Sequence, residues 1–487
     1  MTRRDCLLAL LLVLAGELFT LAWAERIGVN SGLGWDGRAY AAWARDVPGV
    51  VQRHDLDSFQ AQRLLPSAAV FYADATLGIS HTTDHVIEGF QVLDCLDLMI
   101  VCVCLCAITR ALGWSRCASW VAFASCFGGF AVARHALYVP VLTDDTALML
   151  GSVSLVGFLT RRTWLVAGSL VVSLFVWPAL IVVNAAALMF PRRSLADDDD
   201  ARSTRHVAGA TAVVFLCTGC AWFWKALAGY HDVDGMEAII QRSHRGLWPI
   251  TIVLTIGLLA LAGWHLGRPW GKRVIAAYLT RGALCRAVAG GAFVIACVLA
   301  RDVVVDRIAP QHGFGLEELE YYYAGNALRA PLWSLVHHVV YFGPIVLVFV
   351  ARFRQIAGTT RELGLAAFVV MSAVVMVSIT PETRHLIAFL PWIVVLAVHA
   401  TRDAWTPRAL GIYVALTVVW SKLWWSIGYE RYHDSFRFPD QRYWMHLGPW
   451  STDLPFVIHG AAAVVTAVVL AWVLGGPARA RPTGEFS

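Results

Sequence analysis

Gly34-Trp35-Asp36-Gly37-Arg38-Ala39-Tyr40, followed by Gln62-Arg63-Leu64-Leu65-Pro66, sets a carboxylate beside glycines with arginines near it. A carboxylate can take the proton of an attacking hydroxyl, and a guanidinium offers forked donors to phosphate oxygens. Asp36 follows the breaker Gly32-Leu33-Gly34, so an N-cap role competes with a chemical one. Helical spacing puts Asp36, Tyr40 and Trp43 on one face, suited either to a sugar ring or to anchoring among lipid headgroups. Thr143-Asp144-Asp145-Thr146 adds a second acidic pair that can cap a helix, bind a cation or orient a substrate hydroxyl. Pro381-Glu382-Thr383-Arg384-His385 adds an arginine whose competing uses are phosphate, a lipid headgroup and a salt bridge to Glu382. The combination suits a phosphate-bearing lipid and a hydroxyl.

These groups must be positioned by a very apolar chain. Of 487 residues, 58% are hydrophobic and 15% charged, with 21 Trp and 23 Phe, more apolar surface than a water-soluble domain would bury. Runs of roughly 18–22 apolar residues match a bilayer core about 30 Å thick. They predict spans near 7–24, 90–109, 117–134, 146–160, 207–229, 248–266, 283–300, 332–351, 362–380, 385–400, 409–427 and 456–474. The longer run 163–190 contains Trp177-Pro178. Proline removes a helical hydrogen bond and clashes with the preceding turn, so two short helices meeting near the outer face are expected there. The expected fold class is all-α, a polytopic transmembrane helical bundle of about 13–14 segments with a long helical first exterior loop.

Basic residues choose the orientation. With Thr2-Arg3-Arg4 inside, Arg110, Arg116, Arg161-Arg162, Arg192-Arg193, Arg268, Arg352, Arg354, Arg402 and Arg408 all fall in short inner loops. Without the break at Pro178 every later loop would flip and this bias would vanish. An integral plasma (inner) membrane protein with both termini cytoplasmic is expected. Its outer loops would be 25–89, 135–145, 230–247, 301–331, 380–384 and 428–455. The chain 1–487 reads as one integral membrane domain, with 191–206 as a cytoplasmic linker and 428–455 as the last exterior loop. Asp197-Asp198-Asp199-Asp200 within that linker reads as a solvated run.

The net charge of +5 is accounted for by the inner loops and implies no nucleic-acid partner. The 11 cysteines fall in spans or inner loops, which excludes an extracytoplasmic disulfide framework. Glu17, Asp94 and Asp97 lie inside spans, where charge turns towards a partner or a wet cavity. Arg134 and Lys225 are the expected partners in an ion-pair network. Loop 301–331, with Glu317, Glu318, Glu320 and Tyr321-Tyr322-Tyr323, and loop 428–455 are polar enough to select an acceptor.

The first-loop pattern around Asp36 and Arg63-Leu64-Leu65-Pro66 resembles that of bacterial polytopic membrane proteins of the GT-C glycosyltransferase superfamily. Thr143-Asp144-Asp145-Thr146 falls where such enzymes often carry a second acidic motif. Arg384-His385 with Leu390-Pro391 is similar to their late arginine–aromatic motif, although His385 stands where Tyr is more usual. The resemblance implies a GT-C-like fold and a polyprenyl-phosphate-linked sugar donor. It implies a glycan, lipid or protein acceptor, and an exterior or periplasmic active site among membrane lipids. It implies Asp36 as general base, with Arg384, then Arg63 and Arg38, as phosphate-binding residues. Tyr40 and His385 would join the substrate site, with Asp144 and Asp145 as its second acidic part. No cofactor is required in such a scheme, since arginine can neutralise one phosphate; Asp36 with Asp144 or Asp145 leaves room for a divalent cation. Rival functions are a transporter or flippase of a lipid-linked glycan, which the lack of an internal repeat disfavours, and a non-catalytic GT-C-like membrane subunit.

Overall fold

A bilayer offers peptide groups no hydrogen-bonding partner, so a chain this apolar satisfies them within helices. The computed structural model describes residues 1–23, 26–192, 201–229, 243–310, 316–424, 448 and 451–475, and it is helical with no strand among them. Among the described residues seven helices are long and apolar enough to cross a membrane: Arg3–Trp23, Thr83–Ala111, Ser203–Ala228, Arg245–Gly267, Arg281–Ile308, Thr383–Ala400 and Asp453–Leu474. Arg116–Phe127 and Ala131–Tyr138 make an eighth when joined, bent by 43° at a π-helical stretch over Ala131–His135. The described residues form an all-helical structure consistent with a bundle whose apolar helices suit a membrane.

About 13–14 segments are expected; among the described residues seven or eight reach spanning length, and others are shorter. Asp144–Leu159 has 16 residues, Leu365–Val377 has 13 and Pro407–Ser421 has 15. At about 1.5 Å per residue none of these crosses a core about 30 Å thick by itself. The run 332–351 divides at Gly343, whose φ of +77° ends Trp333–Phe342 before Ile345–Ala351 begins. Thr163–Ser173 and Leu180–Met189 are separated by the segment holding Trp177-Pro178, as proline requires.

Burial divides the helices into two kinds. Val288, Ile295 and Leu299 on Arg281–Ile308, and Val457, Val464 and Val468 on Asp453–Leu474, are exposed, as residues facing lipid would be. Every residue from Leu390 to His399 is buried instead. This central helix packs against Arg116–Phe127, Asp144–Leu159 and Phe353–Leu363. Gly151 lies so close to the Ala388 carbonyl that a Cβ there would overlap it, which seats Asp144–Leu159 directly on the turn Thr383–Phe389.

Of the segment 25–89, residues 26–89 are described and folded. They contain helices Gly37–Arg45, Val47–Gln52, Ser58–Ala61 and Leu64–Leu77 and the start of Thr83–Ala111. Asp57 and Gln60 form a reciprocal capping box at one helix start. Tyr40, Trp43, Leu56, Phe90, Tyr138 and Val141 belong to a second apolar core under this segment. A Cβ on Gly37 would stand 2.7 Å from the Val141 carbonyl oxygen. Only glycine lets the chain leading to Asp144 lie this close to the start of Gly37–Arg45.

The expected pairing of Lys225 with the intramembrane acids is corrected, since Lys225 meets Glu320 at 2.9 Å. Asp97 accepts a hydrogen bond from the Thr146 hydroxyl at 2.6 Å, and Cys95 Sγ lies 3.8 Å from Glu17. All eleven cysteines are free. The acidic run Asp197–Asp200 and most of 428–455 lie outside the described residues; within 191–206, helix resumes at Ala201.

Candidate active site

Asp36 occupies the N-cap position of Gly37–Arg45, yet its side chain caps no amide. Its Oδ2 accepts a hydrogen bond from Arg384 Nη2 instead, joining residues 348 positions apart. Arg384 Nε donates to Glu382 Oε1 at 2.9 Å, so this guanidinium serves two carboxylates. The Tyr322 hydroxyl donates to Glu382 Oε2 at 2.5 Å. Burial pushes the Glu382 carboxyl up, but the charges of His385 and Arg384 and the hydrogen bonds from Tyr322 and Arg384 outweigh it and hold it at about 2. Asp36 keeps 45% of its side chain exposed against 17% for Arg384, which leaves the carboxylate open to an incoming group.

Arg63 enters beside this cluster from the start of Leu64–Leu77. The Leu65 amide donates to the Phe175 carbonyl at 3.1 Å, fixing that start against the break at Trp177-Pro178. The Arg63 guanidinium consequently lies 4.1 Å from the centre of the Phe59 ring and 4.8 Å from that of Trp177. Its Nη1 reaches the Tyr40 hydroxyl at 3.5 Å. His385 lies 5.4 Å from the Tyr323 ring and 6.3 Å from that of Trp177, with Nε2 3.8 Å from Glu382 Oε1.

Asp144 and Asp145 occupy the first turn of Asp144–Leu159, where the helix dipole favours anions. Asp144 is buried, its Oδ1 has no hydrogen-bond partner, and the charges of Arg384, Arg63, Asp36 and Glu382 reach it. A small cavity beside it is lined by His135, Leu142, Asp145, Tyr341 and Ile387, with the Tyr341 hydroxyl 3.4 Å from His135 Nδ1.

Asp36, Arg63, Arg384, His385 and Asp144 are thus brought to one place. Asp145 shares the cavity with Asp144 but opens towards Asp94 and Asp97 as well. Two expected members behave differently. Arg38 is exposed and joins none of these groups. Tyr40 and Trp43 are buried, their rings 5.1 Å apart and edge-to-face, and the Tyr40 hydroxyl meets Arg63. Among the described residues no group of three or more His, Cys, Asp or Glu could hold a metal ion. Sequence reasoning passed over Phe59, His135 and Tyr341, and named Tyr322 only within a polar loop. Three consecutive tyrosines in that loop were a signal for Tyr322, whereas Phe59 carried none. No protein-family model, no curated protein and no solved structure matches this chain.

Proposed function

We propose that this protein is a GT-C-like inverting glycosyltransferase. It would move a sugar from a polyprenyl phosphate to a cell-envelope glycan, lipid or protein acceptor on the exterior or periplasmic face of the plasma (inner) membrane. The observation that carries the reading is the pairing of Asp36 with Arg384. An acid and an arginine singled out separately for proton transfer and phosphate binding meet at one half-open site.

In this reading the acceptor oxygen attacks the anomeric carbon and its proton passes to Asp36. The bond from that carbon to the phosphate oxygen breaks, and the polyprenyl phosphate leaves with the bonding pair. A positioned base contributes about 10²–10⁴-fold. Fixed guanidinium groups stabilise the charge that grows on the phosphate oxygens without having to reorganise. Glu382, held by Tyr322, keeps Arg384 turned towards Asp36. The basic inner loops support an orientation with cytoplasmic termini and this site outside.

The test is mass spectrometry of envelope glycans in a deletion strain complemented with wild-type or Asp36→Asn protein at equal level. Wild type should restore a missing glycan and the variant should not; equal restoration by both would remove Asp36 from the chemistry. Flipping of a lipid-linked glycan is the second reading, favoured by the burial of Glu17, Asp94 and Asp97 inside predicted spans. It predicts lost lipid translocation with transfer retained.

A further inference from the structure

The two arginines of the site differ in how their charge is answered. Arg384 faces the carboxylates of Asp36 and Glu382. Arg63 is only 7% exposed, its Nε has no hydrogen-bond partner, and it forms no ion pair with a described residue. Its surroundings are the faces of Phe59 and Trp177 and a long contact to the Tyr40 hydroxyl. Aromatic faces offset only part of the cost of desolvating a guanidinium, so a cation buried in this way calls for an anion. Arg63 also occupies the N-cap position of Leu64–Leu77, a helix of 14 residues without a side-chain cap. The positive end of that helix adds to the same potential.

Asp144 presents the opposite pole. It is 5% exposed, its Oδ1 is unpartnered, and the charge of Arg63 reaches it. A buried cation with no ion pair in contact and a buried acceptor without a donor are complementary to one kind of molecule, an anion carrying a hydrogen-bond donor next to it. A sugar joined to phosphate has both.

We propose that Arg63, rather than Arg384, is the primary phosphate receptor of the site, and that Asp144 accepts a hydrogen bond from a hydroxyl of the attached sugar. Arg384 then holds Asp36 and gives the phosphate a secondary contact. The identity of the ligand rests on the glycosyltransferase reading, whereas the anion site rests on the surroundings of Arg63 alone.

The experiment is calorimetric titration of the purified full-length protein with inorganic phosphate, a sugar 1-phosphate and a short-chain polyprenyl phosphate. Arg63→Gln should weaken all three by about tenfold or more, and by more than Arg384→Gln does. Arg63→Lys, which keeps the charge but not the fork, should recover part of the loss and guards against a folding defect. Asp144→Asn should weaken the sugar 1-phosphate more than inorganic phosphate. Tighter binding of the polyprenyl phosphate than of the sugar 1-phosphate assigns the group to a lipid, and equal binding assigns it to a soluble sugar phosphate; in either case it is the loss in Arg63→Gln that supports Arg63 as receptor. A larger loss in Arg384→Gln than in Arg63→Gln overturns the proposal. Loss of transfer in Asp36→Asn with phosphate binding untouched by Arg63→Gln would overturn it while leaving the transferase reading intact. Binding that depends on Arg63 in a protein without transfer would do the reverse.

Discussion

A carboxylate at a helix start ordinarily bonds the free amides of the first turn, and Asp36 stands where such a cap belongs. Arg384 binds its oxygen instead, while Glu382, itself bonded by Tyr322, holds Arg384 from the other side. Glu382 supplies a pH test. Its carboxyl is held at about 2 against an ordinary 4.5, so on acidification the unfolded chain takes up the proton first. The stabilisation is whole above about pH 4.5 and is lost as pH falls through about 2. Thermal denaturation should therefore show a melting temperature that drops across this window in wild type and drops less in Glu382→Gln. At neutral pH that variant should lose about 1–3 kcal/mol, the usual cost of leaving a buried donor unmatched. Asp36, Arg63, Arg384 and Asp144 were legible in the sequence because each stands in a short motif beside a glycine, a proline or a helix start. Their partners were not, since nothing local tells an arginine at 384 that it will meet an acid at 36.

Short elements under tight constraint bring these side chains together. Gly37 lets the 139–142 segment lie on the start of Gly37–Arg45, and Gly151 lets Asp144–Leu159 lie on Thr383–Phe389. Gly37→Val should push Val141 away, cost about 1–3 kcal/mol of overpacking and weaken transfer by separating Asp36 from Asp144. A Cβ added to Gly168, in Thr163–Ser173, would meet nothing within 4 Å. Gly168→Ala should hold or raise the melting temperature, because alanine favours a helix interior by about 0.5–1 kcal/mol. A normal melting temperature and rate in Gly37→Val would contradict the role given to that contact. The break at Trp177-Pro178 was legible, because proline acts on its own turn. The seating of Arg63 against that break was not, because it depends on a backbone bond from Leu65 to Phe175.

Across the whole molecule, hydropathy detected apolar helices but did not tell those of spanning length from shorter ones. A 16-residue helix buried among others, such as Asp144–Leu159, is as apolar as one facing lipid, and composition does not distinguish protein neighbours from acyl chains. Charge bias still predicts the sidedness. Phosphatase fused after Leu474 should be inactive and a fluorescent protein there bright, whereas phosphatase inserted at Gly78, beyond Leu64–Leu77, should be active; the opposite pattern would invert the proposed membrane orientation. The central claim is chemical transfer at Asp36, and the most direct measurement is the rate at which purified protein in liposomes moves labelled sugar from polyprenyl phosphate to an envelope acceptor extract. Wild type should transfer, and Asp36→Asn, with an unchanged melting temperature, should be slower by about 10²–10⁴-fold. Transfer by Asp36→Asn at the wild-type rate would contradict the account.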